Sequence, residues 1–188
     1  MNEFAVNVSE IRKRARQHIE DGAVTQGYGP NRETTLKILN EALATEIVCV
    51  LRYKLHYQMA SGIHSEHVAA EFLEHAREEQ EHADMIAERI AQLNGKPDYN
   101  PKGLAERSHS DYIECNDLLQ MIKENLIAER IVIDLYGEMI RFLGNDDPST
   151  RRMLEEILQD EEKHADDLAK MLPTGRSESV LALKVEAV

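Results

Sequence analysis

The sequence predicts an all-α four-helix bundle with one long crossover between its second and third helices and a short extra helix at the N-terminus. Three observations predict it. Four long segments repeat apolar residues at spacings of three and four. Gly and Pro are sparse, with 9 and 5 copies, while 30% of the residues are charged and 5% aromatic, a profile of long amphipathic helices rather than a β-sandwich. The 188 residues suffice for one domain of ordinary size with its own core.

The first bundle helix is expected from about Asn31 to Ala60, stopping at Ser61-Gly62, with Leu39, Leu43, Val50, Tyr53 and Tyr57 inward. The second is expected from Ser65, read as its N-cap, to Asn94 before Gly95, with Phe72, Ala76, Ile86 and Ile90 inward. The third is placed from near Ser110 to Gly144, with a stripe of Ile122, Leu126, Ile133, Tyr136 and Ile140. The fourth opens on Asp147-Pro148, an N-cap followed by a first-turn proline, and ends before Pro173. Its inward residues are Leu154, Leu158, Ala165 and Leu168. Short links make each pair an antiparallel hairpin. The hairpins are joined by Gly95 to His109, which carries Pro97 and Pro101 and little apolar pattern. At about 3.3 Å per residue such a segment can run the length of a bundle. The organisation expected is an N-terminal extension (1–30) with a helix from about Ser9 to Asp21, the bundle (31–172) and a loose tail (173–188).

The formal net charge is −13. An acidic surface repels nucleic-acid phosphates and attracts cations. The one local exception, Arg12, Lys13, Arg14 and Arg16, reads as a solvated helix face, with DNA contact as its alternative. The two cysteines, Cys49 and Cys115, are too few for a disulfide framework and form no CxxC. Cys49 reads as a small core residue, and Cys115, placed far up the third helix, as too distant for a disulfide. The opening residues lack the apolar run of a signal peptide, and no segment approaches the roughly 18 apolar residues of a membrane span. A cytoplasmic location, with no membrane partner, is the expectation.

Each apolar stripe is interrupted at its middle by polar residues. The first helix has Glu46, the second Glu79 and His82, the third Glu129, the fourth Glu161 and His164. An i, i+3 pair projects from one helix face, so each Glu-x-x-His aims two side chains at one spot. Glu46 and Glu79 each lie about 14 residues, or roughly 21 Å, from the turn between them. Glu129 and Glu161 satisfy the same count about their own turn. Tyr53 and Tyr136 repeat as well, each seven residues after its helix's glutamate. Both read as core packing with satisfied hydroxyls, or as redox or hydrogen-bond partners of the centre. A single Glu-x-x-His in a glutamate-rich helix is a common surface feature, and His75, Glu78, Glu81 and Glu162 read as that kind. Two motifs with partner glutamates at matching depth read as a metal centre. Buried unpaired carboxylates cost several kcal/mol each, and four of them repel one another. Two divalent cations neutralise them, and carboxylate with imidazole suits iron or manganese.

These motifs resemble those of the bacterioferritins and the Dps-like ferritins, over about Asn31 to Leu172. Leu39-Asn40-Glu41-Ala42-Leu43, running on through Glu46 to Tyr53, resembles that family's first helix. The resemblance implies a ferritin-like bundle and a ferroxidase. Such a protein oxidises Fe(II) with O2 or H2O2 at two iron ions per subunit and stores ferric mineral in a homo-oligomeric shell. Mn or Zn are possible substitutes for the iron. It also implies Glu79 and Glu161 as bridging residues, Glu46 and Glu129 as terminal carboxylates, and His82 and His164 as terminal imidazoles.

The chain departs from bacterioferritin in three places. The haem-ligating methionine expected after the first motif's glutamate is Gln80 here, so no haem is expected. The tail is a poor match to the fifth helix of 24-subunit shells, and about thirty residues precede the bundle; both favour a 12-subunit shell. Ordinary Dps proteins hold iron between subunits, whereas all six residues here belong to one bundle. The alternatives are a rubrerythrin-like peroxidase, a manganese-catalase-like enzyme, a DNA-protecting protein, or a helical scaffold without metal. A rubrerythrin's four-cysteine iron domain is missing from the sequence.

Overall fold

In the computed structural model, which describes residues 5–62 and 65–173, the apolar periodicity becomes four long antiparallel helices. The elements are α1 (Val8–Arg14), a 3-10 turn (Ile19–Asp21), α2 (Arg32–Met59), α3 (Ser65–Gln92), a one-turn α4 (Leu104–Arg107), α5 (Leu118–Leu143) and α6 (Pro148–Met171). No strand occurs among the described residues, and none of their helices is long and apolar enough to cross a membrane. Residues 174–188, most of the expected loose tail, lie outside the described part.

Local chemistry sets the helix starts. Asn31, Asp117 and Asp147 each accept a backbone N–H three residues on, from Thr34, Gln120 and Thr150. Ser65, expected as an N-cap, is instead the first residue of α3, its hydroxyl bonded to the Gly62 carbonyl at 2.8 Å. At the other end of α3, Asn94 takes a left-handed conformation (φ 57) and the Gly95 N–H bonds back to Ile90. A Cβ on Gly95 would lie 2.3 Å from a terminal methyl of Leu36 and 3.0 Å from the Ile90 carbonyl, so a larger residue there would force the Leu36 side chain to move.

Three expectations change. The N-terminal helix expected from Ser9 to Asp21 breaks after Arg14, and His18 is left-handed (φ 51). No residue of α1 is buried, so nothing supports a longer helix there.

The third bundle helix starts at Leu118, not near Ser110. Residues 108–116 are extended along α2 because their polar groups are used there. The buried Arg52 donates from Nη1 to Ser110 Oγ (2.7 Å) and to the Asp111 carbonyl (2.9 Å). His56 Nε2 meets the Ile113 carbonyl at 3.1 Å, and Thr45 Oγ1 accepts the His109 N–H at 3.0 Å. The crossover therefore spans 93–117. Cys115 lies before α5 rather than on it, and Cys49 and Cys115 are buried and free.

The inner face of α5 is also turned from the expected stripe. Met121, Asn125, Ala128, Val132, Met139 and Leu143 face inward with Ile122 and Tyr136, leaving Leu126, Ile133 and Ile140 partly exposed on its flank. Asn125 causes the rotation: it accepts from Arg52 Nε at 2.9 Å and lies 3.0 Å from His56 Nδ1.

α2 packs mainly on α3, and α5 on α6. The apolar core is split in two. One block gathers Leu39, Leu43, Ile86, Ile90, Val132, Leu143, Leu154 and Ile157. The other gathers Tyr53, Val68, Phe72, Met121, Ile122 and Leu168. A polar layer lies between them.

Asp147 closes the first block. Besides capping α6 it accepts from Arg89 Nη2 at 3.0 Å and from the Tyr28 hydroxyl at 2.8 Å, so it ties α3 and the N-terminal segment to α6. Asp147→Ala removes a cap and strands a partly buried guanidinium. Chemical denaturation should register a loss of about 2–4 kcal/mol; a loss below about 0.5 kcal/mol would show the three ties to be unimportant.

Candidate metal centre

The layer between the two apolar blocks contains the six residues singled out in the sequence. Glu46, Glu129, Glu161 and His164 are fully buried, and Glu79 and His82 are 1% and 3% exposed. They form two overlapping groups whose ligand atoms lie within 4.8 Å of one another: Glu46, Glu79, His82 and Glu161, and Glu79, Glu129, Glu161 and His164. Glu79 and Glu161 belong to both groups. One residue comes from each of α2 and α5, and an i, i+3 pair from each of α3 and α6.

Both imidazoles turn Nδ1 inward. His82 Nδ1 lies 3.1 Å from Glu161, 3.6 Å from Glu79 and 3.7 Å from Glu46. His164 Nδ1 lies 3.2 Å from Glu161 and 3.6 Å from Glu79. Glu46 Oε2, both oxygens of Glu79, His82 Nδ1, Glu129 Oε2 and Glu161 Oε1 are buried without a hydrogen-bond partner. An orphaned buried carboxylate oxygen is costly. Here the orphans converge within one layer and have the donor types of a carboxylate–imidazole metal centre, so the residues fit divalent-metal binding.

The outer contacts cross between helices. Tyr53 of α2 donates to Glu129 of α5, and Tyr136 of α5 donates to Glu46 of α2. The tyrosines are thus hydrogen-bond partners of the two unshared glutamates as well as core residues. The histidines are crossed in the same way. His164 Nε2 lies 2.7 Å from Glu78, the residue before Glu79, and His82 Nε2 lies 3.4 Å from Asp160, the residue before Glu161. A carboxylate on the outer nitrogen fixes ring orientation and raises the basicity of the inner one.

Two residues read from the sequence as surface features are not. Glu78 is the partner of His164, and His75 is 1% exposed, stacked on His164 with ring centroids 4.1 Å apart. Glu81 and Glu162 are exposed, as expected. The missed signal was register: His75 lies four residues before Glu79, on its inner face. Asp160 was also missed; standing immediately before the motif glutamate, as Glu78 does, was its only mark.

Without metal, the layer keeps its charge low with protons. Burial, and then the Glu79 charge, push Glu46 up to about 8, and burial holds Glu129 well above the usual carboxylate range. Burial also opposes ionisation of Glu79 and Glu161, but the two imidazoles close by outweigh it and both end below their ordinary value. Burial works against charge on the imidazoles too; the surrounding glutamates prevail, raising His164 to about 11 and His82 likewise upward. Glu46 and Glu129 thus resist ionisation while His82 and His164 resist losing their protons, and both tendencies lower the net negative charge of the layer.

The fold and this layer define a class: a four-helix protein with a buried carboxylate–histidine centre built by two crossed hairpins. The chain belongs to the ferritin family, whose ferritin-like domain matches residues 36–177. It is similar to a bacterioferritin from Mycobacterium avium, 31% identical over 138 residues that cover 73% of this chain and 82% of the relative. It is also similar to the DNA protection during starvation protein of Pyrococcus furiosus, 28% identical over 145 residues, 72% of this chain and 75% of that protein. Among solved structures, a dodecameric thioferritin, the bacterioferritin-related protein of Bacteroides fragilis, superposes with a TM-score of 0.73 at 29% identity, covering 87% of this chain and 95% of that one.

The proton balance gives a pH signature. Glu46 (about 8 against 4.5) and His164 (about 11 against 6.5) both hold protons more tightly when folded. Their stabilisation is therefore complete below the unfolded values and lost as pH rises through the folded ones. Glu79 and Glu161, shifted downward, contribute stability above pH 4.5 that disappears only in acid. Between about pH 7.5 and 9, above the range in which the lowered imidazoles of His56 and His75 still add stability, the descending contributions dominate the change. The Tm of the metal-free protein should fall across that window, and saturating Zn(II) should flatten the fall. A Tm that rises in metal-free protein would contradict this proton distribution.

Proposed function

We propose that the chain is a ferroxidase that takes Fe(II) as substrate at this centre and contributes to iron storage as a homo-oligomeric shell. The observation that carries the reading is the pair of four-residue groups sharing Glu79 and Glu161, with their unpartnered buried oxygens converging between them. In this reading Glu46 and His82 hold one Fe(II), Glu129 and His164 hold the other, and Glu79 and Glu161 bridge. Four carboxylates neutralise two Fe(II), so loading exchanges protons for metal with no build-up of charge in the core. Oxidation passes two electrons in all: two Fe(II) and H2O2 give two Fe(III) and two hydroxides, or two Fe(II), O2 and two protons give two Fe(III) and H2O2.

The chain's own residues supply position and proton control. Tyr53 and Tyr136 hold Glu129 and Glu46 at fixed rotamers. Glu78 and Asp160 orient His164 and His82. The apolar blocks above and below keep bulk water from the layer. The acidic balance of −13 favours cation arrival. Similarity to a dodecameric thioferritin supports a 12-subunit shell.

Absorbance of ferric product after adding Fe(II) to metal-free protein, with O2 and then with H2O2, tests the activity. Glu129→Ala should abolish the fast phase, and an equal rate in wild type and variant would end the proposal. Size-exclusion with light scattering should give a mass near twelve chains; a monomer would remove the storage role. Glu78→Ala should weaken metal binding about 10–100-fold. Asp160→Ala should do less, because its contact is longer and its side chain 46% exposed against 30% for Glu78. Unchanged binding in both variants would show that the outer carboxylates do not orient the rings.

A further inference from the structure

The two halves of the layer are related by a sequence offset of 82 between α3 and α6, which carries Glu78, Glu79 and His82 onto Asp160, Glu161 and His164. One turn to either side the correspondence breaks in chemistry. On one side of the layer Met85, Met153 and Ile157 fill the positions with apolar side chains packed in the first core block. Their counterparts on the other side, by the same offset, are Asp167, Glu71 and His75. Packing is evidently satisfied by methionine and isoleucine, so it does not ask for two carboxylates and an imidazole here.

These three residues come together. Each offers a ligand atom within 4.8 Å of the others'. His75 is 1% exposed, and its Nε2 is buried without a hydrogen-bond partner. Its Nδ1 faces the Tyr53 hydroxyl at 3.2 Å. That hydroxyl gives its own proton to Glu129, so its oxygen accepts from Nδ1–H. Nε2 is then a bare lone pair with no donor in reach, which is the form in which imidazole binds a metal. Glu71 is partly exposed and the Asp167 side chain is 25% exposed, so the group has an open side. Lys170 reaches Asp167 at 3.1 Å, but its amine is mostly exposed and has Asp166 at 2.6 Å as an alternative partner, so it can cede Asp167 to a cation.

We propose that Glu71, His75 and Asp167 form a third divalent-cation site, one helical turn from the central pair and open to solvent. Two carboxylates and one imidazole are a hard-to-borderline set that takes Fe(II), Mn(II) or Zn(II), with water completing the coordination. His75 stacks on His164 and bonds Tyr53, so it stands between this site and the half of the centre built on Glu129 and His164. The site therefore neighbours that half of the centre, and its occupancy does not depend on the di-metal reading.

Zn(II) is the probe, used on the full-length protein. Crystals soaked in Zn(II) should show anomalous peaks at three positions in each chain, and equilibrium dialysis should count three equivalents. The double variant Glu71→Gln, Asp167→Asn changes only partly exposed side chains; it should lose the outer peak and one equivalent and keep the central two. His75→Phe, which keeps the ring, should do the same. Two central peaks with none between residues 71, 75 and 167 in wild type overturn the proposal and leave the di-metal reading standing. An outer peak that survives the double variant overturns the ligand assignment. An outer peak above an empty centre upholds the site and overturns the di-metal reading instead.

Discussion

Four glutamates at the middle of a bundle set the terms for everything around them. No fold tolerates that density of buried negative charge unless positive charge arrives, from cations or from protons. The two imidazoles, the crossed tyrosines and the outer carboxylates all hold in place a cluster that would otherwise repel itself. The apolar blocks on either side set the depth, and so the low dielectric that makes each electrostatic contact strong.

Crossing is the second theme. Each hairpin lends a tyrosine to the other's glutamate, and α3 and α6 exchange carboxylates for each other's histidine. The layer is therefore not two half-sites placed side by side. Its residues are oriented only when both hairpins are docked, which couples correct assembly of the bundle to competence of the centre. Sparse direct packing between α2 and α5, and between α3 and α6, fits this arrangement. In the layer, side chains bridge where helix backbones stay apart.

Much of this was legible in the chain. The four helices, the two tight turns, the crossover and the six central residues follow from period and spacing alone, because helical geometry converts residue number directly into height and face. What escaped depends on contacts far apart in sequence. The start of α5 is set by Arg52, some sixty residues earlier, claiming Ser110 and Asp111. The rotation of α5 depends on Asn125 reaching Arg52 and His56. His75 and Glu78 sit in a glutamate-rich run where polar residues on opposite faces look alike until the neighbouring helix is in place.

Arg52 carries one more implication. Its guanidinium is 1% exposed, and its partners lie on α5 and on the extended segment that leads into it. Each hairpin is built from near-neighbour contacts and can form quickly by itself. Burying a permanent cation is unfavourable until Asn125, Ser110 and Asp111 are all present to receive it. Burial of Arg52 is therefore satisfied only when α5 and residues 110–111 reach it, which ties the stability of the bundle to the native path of the crossover.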